Sequence, residues 1–175
     1  MTPGGPRLRI YHALAGIGAG VAGALFVLLF LMLGSVWYHH SIWVPANLFS
    51  TAFYGPDAYL NRFAYTSWAG VAVVLVMYGV VGAVWGLVWG DSRPRLLLVY
   101  GALCGAVTYF LLFGIFWKRV DPLIALYGPE RQLEFANIVW GMIVVRSAGF
   151  AAGASRADKE VQEEAVAVRS GEVIL

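Results

Sequence analysis

The residue with the strongest claim to chemistry is a lone arginine inside an apolar run. Arg146 falls within a stretch of mostly apolar residues from about 135 to 152. A charge inside a membrane span costs a few kcal/mol on insertion scales and is often functional. Asp91 could pair with it, and Glu134 and Asn137 stand at the start of the same run, so these residues form a candidate intramembrane polar site. The alternative is that the flexible stem of Arg146 carries its charge to the lipid headgroups.

Charged residues outside the apolar runs allow two interpretations. Four acidic and four basic residues share two loops of the sequence: Asp57, Asp121, Glu130, Glu134, Arg62, Lys118, Arg119 and Arg131. Solvated ion pairs at a surface are one interpretation. The other is a polar entrance to a cavity, which Glu134 and Asn137 would face.

The histidines do not have the spacing of a metal site. His39 and His40 are adjacent, and adjacent side chains on a helix point about 100° apart, which makes joint binding of one ion difficult. His12 lies at the other end of the same apolar run. The chain has no phosphate-binding loop, no H-E-x-x-H or G-x-S-x-G motif and no cysteine cluster. The sequence therefore predicts no catalytic residue, no cofactor and no metal ligand.

The composition indicates that lipid surrounds much of the chain. Of the 175 residues, 60% are hydrophobic and 13% are charged, whereas soluble domains carry about 25% charged residues. So few charged residues cannot cover the surface of a soluble globule. The net charge of +2 is too small to suggest a nucleic-acid partner. We therefore expect an integral membrane protein, with membrane lipids as its first partners.

Four apolar runs approach the length that a membrane-spanning helix needs, which is about 20 residues. They cover residues 10–38, 66–89, 96–117 and 135–152, and the last is the shortest. The first run exceeds the 7–15 apolar residues typical of a cleaved signal peptide. The sequence predicts an all-α, four-helix transmembrane domain over residues 1–153. Residues 154–175 change to a charged composition that predicts a largely disordered cytoplasmic tail.

The distribution of lysine and arginine predicts the orientation of these spans. Of the 12 basic residues, seven fall on the side of the termini, four on the opposite side and one within the fourth run. Positive residues favour the cytoplasm. We therefore expect both termini in the cytoplasm, in a multi-pass protein of the cell membrane and most simply of a bacterial inner membrane.

Glycines spaced four residues apart occur in every predicted span. They are Gly16 and Gly20, then Gly82, Gly86 and Gly90, then Gly101 and Gly105, then Gly149 and Gly153. This spacing lets two helix backbones approach closely, because no side chain stands between them. The pattern is compatible with packing inside one four-helix bundle and with formation of a homo-oligomer.

The two outer loops carry a similar motif, Pro followed later by Tyr-Gly-Pro-acid. The motif residues are Pro45, Tyr54, Gly55, Pro56 and Asp57 in the first loop, and Pro122, Tyr127, Gly128, Pro129 and Glu130 in the second. Each motif follows an odd-numbered span and precedes an even-numbered one. We interpret the chain as two helical hairpins that form a parallel repeat, related by an axis along the membrane normal, unlike the inverted repeats of many transporters.

The first outer loop has the pattern of a short interfacial helix. Pro45 suits a first helical turn, where its missing N–H costs nothing. From there to Tyr54 the apolar residues fall on one helical face that includes Leu48, Phe49 and Phe53. Asn47, Ser50 and Thr51 are expected away from that face. Such a helix would lie on the outer leaflet or cap the bundle.

Two functions from different classes fit these patterns. Dense helix-packing signals and few polar groups in the spans favour a non-enzymatic scaffold or accessory subunit. A small transporter or channel built from two hairpin repeats is the alternative. It needs a polar path, and the residues that offer one are Arg146, Thr108, Asn137 and Ser147. A membrane enzyme ranks third, because no nucleophile–base pair is visible.

Overall fold

The computed structural model describes residues 6–60, 62–89, 96–147 and 153, with backbone only for residues 6–9. Every regular element in these ranges is a helix. In chain order they are α1 (Pro6–Trp37), α2 (Val44–Tyr54), α3 (Asp57–Leu60), α4 (Tyr65–Trp89), α5 (Leu97–Tyr109), a π-helical segment (Phe110–Phe116), α6 (Trp117–Val120), α7 (Pro122–Tyr127) and α8 (Glu130–Val144).

Three helices are long and apolar enough to cross a membrane, as in a multi-pass membrane protein. They cover Ile10–Trp37, Tyr65–Val88 and Leu97–Val120, the last combining α5, the π-helical segment and α6. The first three predicted spans are therefore confirmed within a few residues. The first has 28 residues, or about 42 Å at 1.5 Å per residue. It exceeds a hydrocarbon core of about 30 Å and must tilt or extend beyond it.

The fourth predicted span corresponds in the described residues to α8. This helix begins at Glu130, five residues before the predicted start, and its 15 residues give a length of about 22 Å. A turn follows at Val145 and Arg146. Residues 148–152 of the predicted span lie outside the described part of the chain. A fourth crossing thus remains a prediction.

Glycines join the long helices in pairs within the chain. A Cβ atom at Gly16 would lie 2.3 Å from the backbone oxygen of Gly82, so α1 and α4 touch backbone to backbone. A Cβ atom at Gly105 would lie 2.1 Å from the backbone oxygen of Asn137, and α5 and α8 meet there in the same way. Contacts this close exclude any side chain. These glycine faces are therefore occupied by helices of the same chain.

The predicted short helix in the first outer loop is confirmed as α2, but its polar residues do not lie apart from the buried face as predicted. Residues 45–51 are all buried, including Asn47, Ser50 and Thr51, whereas Phe53 is 71% exposed. Its backbone also presses on α4, because a Cβ atom at Gly70 would overlap the backbone oxygen of Ala46. The reason is that the polar residues of α2 find hydrogen-bond partners inside the bundle. An aromatic side chain can face lipid at no such cost.

Candidate functional site

The polar groups in the middle of the spans form a sealed cluster between α1, α4 and α8. The Tyr78 hydroxyl donates to Oδ1 of Asn137 at 3.0 Å, and Nδ2 of Asn137 donates to the backbone oxygen of Leu133 at 2.8 Å. The Trp140 indole donates to the backbone oxygen of Gly20 at 3.0 Å and packs edge-on against the Tyr78 ring. Tyr78, Asn137 and Trp140 are 0% exposed. Water does not reach these side chains, so their hydrogen bonds hold the helices together.

A second bond of the same kind joins α4 to α5. The Trp85 indole nitrogen donates to Oγ1 of Thr108 at 3.0 Å, and Thr108 is 1% exposed. Thr108 was one of the few residues that could have lined a polar path. The structure assigns its hydroxyl to a contact between helices instead.

A further polar layer lies at the base of α2, where that helix meets the start of α4. The Ser67 hydroxyl donates to Oδ1 of Asn47 at 2.6 Å, and Nδ2 of Asn47 donates to the backbone oxygen of Arg62 at 3.0 Å. The Ser67 hydroxyl also accepts from the backbone N–H of Ala64 at 3.1 Å. Asn47 and Ser67 are 0% exposed. This network fixes the loop before α4 onto α2.

Asp121 links the two outer loops, a role that sequence reasoning missed. One carboxylate oxygen accepts a hydrogen bond from the Thr51 hydroxyl of α2 at 2.5 Å, and the other accepts one from the backbone N–H of Leu123 at 3.1 Å. The second bond is an N-cap of α7, where an acidic side chain pairs with an otherwise unpaired N–H. Asp121 is 8% exposed. Asp-Pro at the start of a short apolar run was the available signal for the cap, whereas nothing in the sequence indicated Thr51.

The structure does not gather the three predicted polar-site residues that it describes, which are Arg146, Asn137 and Glu134. Asn137 is buried in the sealed cluster, whereas Glu134, one turn earlier on α8, is exposed. Arg146 is also exposed and lies nine residues beyond Asn137, roughly 13 Å along a helical path. Asp91 lies outside the described residues, so its pairing with Arg146 stays a prediction.

The repeated loop motif begins alike in its two copies and ends differently. Pro45 and Pro122 both stand in the first turn of a short helix. Gly55 has a φ of +76°, a conformation that suits glycine, whereas Gly128 has a φ of −64°. The loops touch through the rings of Tyr59 and Tyr127, whose centroids are 5.5 Å apart.

The other loop-motif residues mostly lie at the surface. Tyr54, Pro56, Asp57, Pro129 and Glu130 are exposed. Asp57 begins α3 and Glu130 begins α8. An acidic residue in a first turn complements the positive end of a helix. Both acids of the motif therefore lie at the start of a helix, where a negative charge is favourable.

The adjacent histidines lie at the end of α1. His39 has a φ of +61°, and its backbone N–H bonds Val36 while that of His40 bonds Ser35. This pair of bonds is the Schellman pattern, which terminates a helix with a left-handed residue. Among the described residues, no group of three or more His, Cys, Asp and Glu side chains could hold a metal ion.

Two apolar grooves open from the sides of the bundle. The outer groove, of about 720 Å³, lies between α4 and the helix Leu97–Val120 and is covered at one end by α2; its lining includes Ala52, Phe53, Ala72, Val76, Leu112 and Trp117. The Arg146 groove, of about 700 Å³, lies between α1, α5 and α8; its lining includes Ala15, Gly18, Ala22, Leu98, Met142 and Arg146. Sites for small ligands usually measure about 300–1,000 Å³.

No family model matches the chain, and no curated protein or solved structure is significantly similar to it.

Proposed function

We propose that the protein is a non-enzymatic membrane scaffold or accessory subunit that binds its partners sideways, within the plane of the bilayer. One observation carries this proposal. Tyr78, Asn137 and Thr108 are buried and hydrogen-bonded inside the bundle, while the two large grooves in the described part of the chain are lateral and apolar. Such surfaces suit contact with helices and lipids rather than with a dissolved substrate.

A small transporter or channel is the alternative, and it requires a polar path. Asn137 and Thr108 are 0% and 1% exposed, so water does not reach either residue in this conformation. Arg146 is accessible, but the groove beside it is lined almost entirely by apolar side chains. The observations therefore favour the scaffold.

The proposal includes the full predicted topology, with four spans arranged as two parallel hairpins. Two features support it. Each outer loop contains a short helix with proline in its first turn, and each proposed hairpin closes through glycines on its long helices. The excess of basic residues on the side of the termini supports a cytoplasmic location for both, and a bacterial inner membrane is the simplest setting.

The outer groove is the proposed docking face for an apolar helix of a partner membrane protein. A photo-crosslinking amino acid is placed at Val76, inside the groove, and at Leu29, which is 57% exposed on α1. In native membranes we expect a discrete protein adduct from Val76 and none from Leu29.

A matched pair of variants completes this experiment. Ala72→Leu fills the outer groove and should abolish the adduct, whereas Gly18→Leu fills the other groove and should leave it intact. Equal adduct yields from both positions would contradict the proposal. Flux of ions through proteoliposomes above that of empty vesicles would overturn it in favour of the channel.

A further inference from the structure

The Arg146 groove is open where α1 carries small residues. A Cβ atom added at Gly18 would meet nothing within 4 Å, unlike one at Gly16 or Gly20, which would strike α4. α1 therefore has two small-residue faces with different uses. One is closed by a helix of the same chain, and the other leaves a cavity of about 700 Å³.

Arg146 lies at the end of this groove that is nearer the membrane surface. Gly34 of α1 faces Gln132 and Gly20 accepts a hydrogen bond from Trp140, so α8 runs antiparallel to α1. Arg146 follows Trp140 by six residues, in the turn after α8, and therefore lies towards the N-terminal end of α1. Leu98, which also lines the groove, is the second residue of the third apolar helix. The guanidinium therefore lies within reach of the headgroup region.

The length of the groove fits within one leaflet of the bilayer, and its charge is opposite to that of a lipid phosphate. Along α1 it extends from Ala15 to Ala22, about 10 Å, which is less than half of a hydrocarbon core of about 30 Å. Among the described residues, the lining contains one charged side chain, the cation of Arg146, and no acid. A cation above an apolar slot is complementary to a phosphate above an acyl chain.

We propose that this groove binds one anionic phospholipid, with its phosphate on the guanidinium of Arg146 and an acyl chain along the small-residue face of α1. A second copy of the chain suits the groove less well. A symmetric pair through this face would bring two Arg146 cations to one interface without an acid from the groove between them. Lipid binding is a property of the isolated protein, so it stands or falls independently of the scaffold proposal.

The test is native mass spectrometry of the full chain in detergent, titrated with phosphatidylglycerol or with zwitterionic phosphatidylcholine. We expect one phosphatidylglycerol to bind more tightly than phosphatidylcholine. Arg146→Gln should weaken phosphatidylglycerol binding at least about tenfold, the loss expected for one charge-assisted hydrogen bond. Gly18→Leu should reduce binding of both lipids, because it fills the slot.

Two control variants preserve the groove. Arg119→Gln removes an exposed cation elsewhere, and Ala72→Leu fills the outer groove; both should bind like the unaltered chain. An equal loss in Arg119→Gln would mean non-specific attraction by surface charge and would overturn the proposal.

Displacement of the lipid by glycerol phosphate at equal concentration would also overturn the proposal, because it would indicate a site for a free anion. A dimer abolished by Gly18→Leu would overturn it in favour of a second copy. If Gly18→Leu does not fold, the comparison of Arg146→Gln with Arg119→Gln still decides.

Discussion

Asn137 is a buried polar residue that joins α4 to α8 inside the bundle. Its amide oxygen accepts a hydrogen bond from the Tyr78 hydroxyl of α4, and its amide nitrogen donates one to the backbone oxygen of Leu133 in its own helix. The sequence marked it as a candidate for a polar path. Because the side chain is fully buried, its amide instead forms a hydrogen bond between two helices, in a region where unpaired polar groups are costly.

Removing one partner of the Tyr78–Asn137 bond should destabilise the protein more than removing both. We expect Asn137→Leu to lower the free energy of unfolding by about 1–3 kcal/mol, because it leaves the buried Tyr78 hydroxyl without its acceptor. The double variant with Tyr78→Phe should recover part of that loss. Thermal unfolding in detergent measures the cycle, and strictly additive losses would show that the bond contributes nothing.

At the scale of elements, backbone contacts rather than side-chain apolarity decide which helices pair. α1 meets α4, and α5 meets α8, at glycines where no Cβ atom fits. The glycine spacing predicted close packing but was equally compatible with pairing between separate chains. Only the tertiary structure shows that the described pairs lie within one chain. The π-helical segment Phe110–Phe116 was not anticipated, because apolar runs give no sign of a change in helical pitch.

Glycine substitutions should separate packed faces from open ones. Gly105→Ala adds a methyl group that would lie 2.1 Å from the backbone oxygen of Asn137, so α5 and α8 must separate. We expect a loss of about 1–3 kcal/mol, as for overpacked cores. Gly18→Ala is the matched control, because its methyl group meets open space, and it should leave the unfolding temperature unchanged or slightly raised. Equal behaviour of the two variants would show that the α5–α8 contact is looser than the structure has it.

For the whole molecule, the three apolar helices indicate a multi-pass membrane protein, and the outer loops pack into a polar cap. Thr51, Asp121 and the Asn47–Ser67 pair bind α2 to both proposed hairpins. Solvated ion pairs were one of the two interpretations that the sequence allowed for such acids. For Asp121 that interpretation is wrong, because the side chain is 8% exposed and bonds a hydroxyl and a helix N-terminus.

The predicted topology has a direct test in reporter fusions. With both termini in the cytoplasm and four spans, a fusion of alkaline phosphatase at Leu175 should be inactive, because this enzyme folds only outside the cytoplasm. A fusion after Tyr54, in the first outer loop, should be active and serves as the control. An active fusion at Leu175 would indicate an odd number of crossings or a reversed orientation, and either result contradicts the predicted topology.

Composition and the length of the apolar runs were enough to predict a helical protein with long apolar spans. These properties are local, because a helix in lipid satisfies its own backbone and needs only about 20 apolar residues. Proline in a first helical turn is also a local signal, and it was enough to predict the short helix α2. What the tertiary structure alone decided is which side each residue faces. Asn137 and Asn47 turn inward to partners 59 and 20 residues away in the sequence, and Arg146 turns outward to an open groove. In lipid, polar side chains face their hydrogen-bond partners, and the packing between helices that are distant in the sequence determines where those partners lie.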